Sequence, residues 1–275
     1  SIPVTYKWRD PSYGERRRPL ISTPEYTASF EQRQLLMKSG EKKEVRIKVK
    51  CFKDSLNTTL KLTAPKGWTV SPSEIHVDFD AMHAEEWFTL TIIADKNALP
   101  GTVVLSQEDG TSLLNYKEIA YDHIPTQALF RTASMQCTAI DAKINKGRVA
   151  YIKGVDDAVP QAIEQLGFEL DFFEVKDIPS IEFSNYQSVV LGIRIYNVHP
   201  ELLNYSERLN QYVENGGNLV MQYNTAYRSL EGEQFGPYPF DLSRNRVTEE
   251  DAEVTFLEPK HQIMNSPNKI TKADF

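Results

Sequence analysis

Hydrophobic and polar positions follow two different rhythms along this chain, and the change falls near the middle. In Glu44-Val-Arg-Ile-Lys-Val-Lys50 apolar and polar residues alternate, the period of a strand with one buried face. Thr59-Leu-Lys-Leu-Thr63, Ile75-His-Val-Asp-Phe79, Trp87-Phe-Thr-Leu-Thr-Ile-Ile93 and Thr102-Val-Val-Leu-Ser106 continue in the same way. Turn chemistry at Pro65-Lys-Gly-Trp68 and Leu99-Pro-Gly101 separates them. Short strands without a helical period between them predict an antiparallel sandwich over 22–124, with Ile119-Ala-Tyr-Asp-His-Ile-Pro125 as its exit strand. Within such a core Trp68 and Trp87 are both expected inside.

From Arg148 the rhythm becomes that of alternating strands and helices. Arg148-Val-Ala-Tyr-Ile-Lys153 predicts a strand, and Asp156 or Asp157 is placed to cap the helix that follows. Val159, Ile163 and Leu166 share one face of that helix, and Gly167 suits its C′ position. Phe168–Val175 and Ser188-Val-Val-Leu-Gly192 read as further strands. Pro200 opens a second helix, with Leu202, Leu209 and Val213 inward, that Gly216-Gly217 ends. Asn218-Leu-Val-Met-Gln-Tyr-Asn-Thr225 is the last strand. Strands alternating with helices imply a parallel sheet with right-handed crossovers.

The organisation expected is thus an arm at 1–21 carrying Arg16-Arg-Arg18, a β-sandwich at 22–124, a connector at 125–146, and an α/β domain at 147–275. The connector is expected to add an edge strand or a short helix. In the tail, Phe235-Gly-Pro-Tyr-Pro-Phe240 reads as a rigid loop and Ala252–Leu257 as a strand. The stop at Asp274-Phe275, with no closing element, reads as a truncation or a disordered end.

Composition narrows the function classes. At 275 residues, 40% hydrophobic and 25% charged, the chain has room for two cores. A net charge of −7 argues against a nucleic-acid partner, and no apolar run reaches the ~20 residues of a membrane span. Ser1–Trp8 lacks the apolar core of a signal peptide. Two cysteines, Cys51 and Cys137, make no disulfide framework, and the five histidines form no ligand pair.

Open α/β sheets bind ligands beyond the carboxyl ends of their strands. That rule selects Asp156 and Asp157 after the first strand, Arg194, Tyr196 and Asn197 after the third, and Gln222, Tyr223 and Asn224 after the fourth. Their amides, phenols, carboxylates and guanidinium suit a sugar or another polyol. They offer no nucleophile–base pair, so no catalytic residue and no metal ligand is assigned.

Pro65-Lys-Gly-Trp-Thr-Val-Ser-Pro72, Phe88-Thr-Leu-Thr-Ile92 and Leu99-Pro-Gly101 resemble the Ig-like domain associated with bacterial glycosidases. The rest of the resemblance is carried by Tyr151–Pro160, Val190–Asn197, Asn215–Thr225, Pro237-Tyr-Pro239, Leu242–Thr248 and Thr255-Phe-Leu-Glu-Pro259. With these the chain resembles the C-terminal half of large bacterial PIG-L/LmbE-type N-acetylglucosaminyl deacetylases.

The resemblance implies a flavodoxin-like, class I glutamine-amidotransferase-like domain after the Ig-like one. In that fold a reactive Cys or Ser is expected after the last strand, where this chain has Gln222, Tyr223 and Asn224. It implies zinc only in a preceding deacetylase domain with a His-Pro-Asp-Asp-type motif. The one His-Pro here, His199-Pro200, is followed by Glu201, so no zinc ligand carries over. Val155 also departs from the family's Gly-Ala-Gly-Asp-like turn. The role implied is an accessory binding or scaffolding region, covalently linked to the deacetylase domain, with a carbohydrate or amino sugar as ligand and a periplasmic or secreted location. The alternative is an independent hydrolase or transferase using the polar edge of the α/β sheet.

Overall fold

The computed structural model describes residues 4–121, 123–226, 235–238, 240, 242–249 and 251–274. The chain divides between Asp141 and Ala142 into two units.

The first unit begins with β1 (Thr5–Asp10) and β2 (Gly14–Pro19), an antiparallel hairpin where the sequence reads as an arm. Asp10 closes its turn by accepting from the backbone N–H groups of Ser12 and Tyr13. Next come β3 (Tyr26–Phe30), β4 (Gln34–Lys38), β5 (Lys42–Cys51), β6 (Leu56–Thr63), β7 (Trp68–Ser71), β8 (Glu74–Phe79), β9 (Glu85–Ala94) and β10 (Gly101–Ser106). β11 (Leu114–Ile119) and β12 (Gln127–Thr132) pair as a second hairpin, and β13 (Ser134–Ile140) completes the unit.

One sheet runs β4-β13-β10-β6-β8 and the other β3-β5-β9-β7. The alternation seen in the sequence turns one side of each strand inward. Ile47, Val49, Leu60, Val77, Leu90, Ile92, Val103, Leu105 and Met135 lose all solvent contact in one shared core. Burial on this scale is the main stabilising term of such a domain.

Three expectations change here. Residues 127–140, read as connector, supply β12 and β13, and β13 pairs with β4 in parallel, so the sandwich is not wholly antiparallel. The exit strand expected over 119–125 is absent beyond Ile119 among the described residues. Trp68 is buried, its indole donating to the Leu99 carbonyl at 2.7 Å. Trp87, however, is 46% exposed and lies beside Arg46 on the outer face of its sheet. The strand period explains this: Leu90 and Ile92 take the inward positions of β9, which leaves Trp87 with the outward set.

The second unit contains β14 (Arg148–Ile152), α1 (Val159–Gln165), β15 (Glu169–Phe173), β16 (Ser188–Leu191), α2 (Ile195–Val198), α3 (Ser206–Glu214) and β17 (Asn218–Met221). All pairs in its four-stranded sheet, β15-β14-β16-β17, are parallel. Ala150, Ile152, Val189 and Leu191 face a core with Leu202, Leu209 and Tyr212, while Val149, Tyr151 and Val190 face Ile163, Phe168 and Leu170. Val159 is exposed rather than inward, because α1 is short and buries none of its residues fully. Ala252–Leu257 forms no strand, and in the expected rigid loop Pro239 lies outside the described residues.

Candidate functional site

The chain leaves β14, passes through α1 to β15 on one side, then crosses back to β16 on the other. Such a reversal of strand order normally splays the two loops at the carboxyl edge and leaves a crevice between them. Here the loops are drawn together. Val155 N–H donates to the Ile193 carbonyl at 3.0 Å, and Gly192 N–H to the Ile152 carbonyl at 2.8 Å. The approach requires glycine on both sides. A Cβ on Gly154 would lie 2.4 Å from the Ile193 oxygen, and one on Gly192 would lie 2.5 Å from the Gly154 nitrogen.

After β16 the backbone enters α2 through Arg194, a non-glycine residue at φ 55°. This left-handed conformation costs an L-residue on the order of 1 kcal/mol and is retained where the surroundings demand it. The demand is visible: Arg194 N–H donates to the Tyr223 carbonyl at 2.7 Å. A strained strand-to-helix turn is the backbone form that presents a nucleophile in many α/β hydrolases. In this chain an arginine stands there. The loop after β17, where the sequence led us to look for a nucleophile, contains no such turn among the described residues.

Five of the eight residues selected from the sequence serve the fold. Asp157 accepts from the Tyr151 hydroxyl at 2.7 Å and from the Val159 N–H at 2.7 Å. It thus supports the start of α1 although Ala158 holds the N-cap position. Gln222 donates to the same Tyr151 hydroxyl at 2.8 Å. Burial, then the Asp157 carboxylate, raise the Tyr151 pKa well above its ordinary value, so the phenol stays protonated. Asn224 is buried; it accepts from Tyr196 N–H at 3.1 Å and donates to the Gln222 carbonyl at 2.9 Å. Asn197 exchanges two bonds with the Thr225 backbone. Tyr196 is a core residue, packed edge-on against Phe235.

The remaining three, Asp156, Arg194 and Tyr223, are exposed. They come from the three loops that the 155–193 and 194–223 backbone bonds hold side by side. Their side chains offer a carboxylate, a guanidinium and a phenol face to solvent. Tyr151 was missed in the sequence reading because an apolar-looking strand position gave no sign of a buried polar network.

Among the described residues no three His, Cys, Asp or Glu side chains are grouped to hold a metal ion. No described helix is long and apolar enough to cross a membrane.

No family model matches the chain, and no curated protein sequence does. Among solved structures it is similar to a type I cohesin–dockerin complex from Clostridium thermocellum, at 14% identity over 42% of this chain and 99% of that one, with a TM-score of 0.22. It is also similar to a family 123 glycoside hydrolase from Clostridium perfringens, at 8% identity over 61% of this chain and 38% of the hydrolase, again with a TM-score of 0.22. Likeness at that level carries no argument about fold or activity.

Proposed function

We propose that this chain is an accessory, non-catalytic binding or scaffolding region of a PIG-L/LmbE-type deacetylase, with an Ig-like sandwich followed by a flavodoxin-like, amidotransferase-like domain. The parallel order β15-β14-β16-β17 is compatible with the flavodoxin arrangement. The observation that carries the reading is Arg194: the strained turn after β16 presents a guanidinium, which can orient a ligand but cannot form a covalent intermediate. The groups around it support the same reading, because Asp157, Gln222, Asn197 and Asn224 are committed to internal hydrogen bonds. What remains is a small polar surface of Asp156, Arg194 and Tyr223, suited to a carbohydrate or amino sugar.

Calorimetry with a panel of amino sugars and N-acetylated amino sugars tests it. Arg194→Ala is expected to weaken binding by roughly 1.5–3 kcal/mol, the worth of a charge-assisted hydrogen bond, with the melting temperature unchanged. A lower melting temperature with no saturable binding in the parent would remove the ligand site.

A further inference from the structure

A second site lies at the opposite edge of the same sheet. The amino ends of β16 and β17 border a cleft of about 500 Å³, within the range of small-ligand pockets. Its construction follows from α3. Arg208, Gln211 and Tyr212 stand at i, i+3 and i+4 and so share one face of that helix, and Asn215, its C-cap, follows at i+7. All four line the cleft.

The helix ends abruptly beside it. Gly216 adopts φ +91°, and a Cβ on Gly217 would lie 2.3 Å from the Tyr212 ring. The chain therefore folds tightly beneath Tyr212, whose hydroxyl donates to the Tyr186 carbonyl at 3.0 Å and fixes the facing wall.

The lining has a definite chemistry. Gln187, Gln211 and Asn215 are exposed, and their amides carry no side-chain hydrogen bond among the described residues. Tyr186, Tyr212 and Phe183 form its apolar floor, with Tyr212 and Phe183 themselves buried in the core of the unit. Arg208 looks like an anion receptor but is engaged elsewhere: Nε donates to the Ile178 carbonyl at 3.1 Å, Nη2 to the Ile181 carbonyl, and the guanidinium lies over Phe183. The last turn of α3 also borders the cleft, its Gln211, Tyr212 and Val213 carbonyls accepting from the Asn215, Gly217 and Gly216 N–H groups, and a helix C-terminus disfavours anions. Glu182 on the rim adds negative charge.

From this arrangement we infer that the amino-edge cleft is a binding site for a neutral saccharide. Free amides bond hydroxyls and acetamido groups, and the apolar floor between them suits the C–H surface of a sugar ring. The inference goes beyond the proposed carboxyl-edge site and stands on different residues.

The test is amide chemical-shift mapping on the full chain with glucose, N-acetylglucosamine and glucuronate. The expected result is saturable shifts at Gln211, Asn215 and Gly216 with a neutral sugar, and no preference for glucuronate. The double variant Gln211→Ala, Asn215→Ala should weaken that binding roughly tenfold, the loss of two ordinary hydrogen bonds, without lowering the melting temperature. Both residues are exposed at the helix end, so the fold does not depend on them. Absence of saturable shifts at the cleft overturns the inference, as does a preference for glucuronate. Shifts confined to Arg194 and Tyr223 also overturn it, while leaving the carboxyl-edge reading in place.

Discussion

Arg194 donates its backbone N–H to the carbonyl of Tyr223 at 2.7 Å, and in doing so holds a left-handed turn that glycine would adopt without strain. The side chain contributes no hydrogen bond or ion pair among the described residues. Arg194→Gly therefore keeps the backbone bond and removes both guanidinium and strain. Unfolding by denaturant should show stability unchanged or raised by up to about 1 kcal/mol, with sugar binding at the carboxyl edge lost. A clear loss of stability would mean that the arginine side chain buttresses the fold.

The neighbouring polar network should behave in the opposite way. Tyr151→Phe leaves Asp157 and Gln222 without the hydroxyl that joins them. Denaturant unfolding should show a loss of about 1–3 kcal/mol, the cost of stranding part-buried polar groups. The exposed Asp156→Asn change, by comparison, should stay within about 0.5 kcal/mol. Equal effects from the two would show that the network is not structural.

Much of this architecture was legible in the chain because each strand has a one-sided burial pattern. Glu44–Lys50 alternates, and the structure buries Val45, Ile47 and Val49 in that register. The parallel strands were legible as continuous apolar runs, such as Ser188–Leu191. Trp87 was not, because alternation gives two faces and does not mark which one an aromatic ring takes. The carboxyl-edge list was legible through the topology rule. Which members were already spent in internal hydrogen bonds depends on side-chain partners far apart in sequence, such as Gln222 with Tyr151. The amino-edge cleft had no sequence signal beyond polar residues at helical spacing in α3.

Alkaline pH should weaken the second unit through its buried tyrosines. Burial pushes the Tyr196 pKa from 10.0 up to about 12. A group raised in the folded state contributes stability that is fully present below the unfolded value and is lost as pH rises towards the folded one. Denaturant midpoints should therefore fall between about pH 10 and 12, and Tyr196→Phe should flatten that fall. An identical pH profile in the variant would show that Tyr196 does not titrate with unfolding.

Limited trypsin digestion should report the division between the units. Residues 141–147 carry no regular structure, and Lys146 is exposed. Lys143 is held by two hydrogen bonds with Asn268, so the first cut is expected at Lys146. Early cleavage at Arg131, inside β12, would contradict the assignment of 127–140 to the first unit.

The proposal that this chain binds or scaffolds and does not catalyse stands or falls on a turnover assay. The purified chain is incubated with N-acetylated amino sugars and with glutamine, with zinc added, and release of acetate or ammonia is followed. No turnover above the protein-free blank is expected, because an arginine occupies the strained turn and the surrounding polar groups are committed to the fold. Robust turnover that Arg194→Ala, Asp156→Asn or Tyr223→Phe abolishes would contradict it and establish an independent hydrolase at the carboxyl edge.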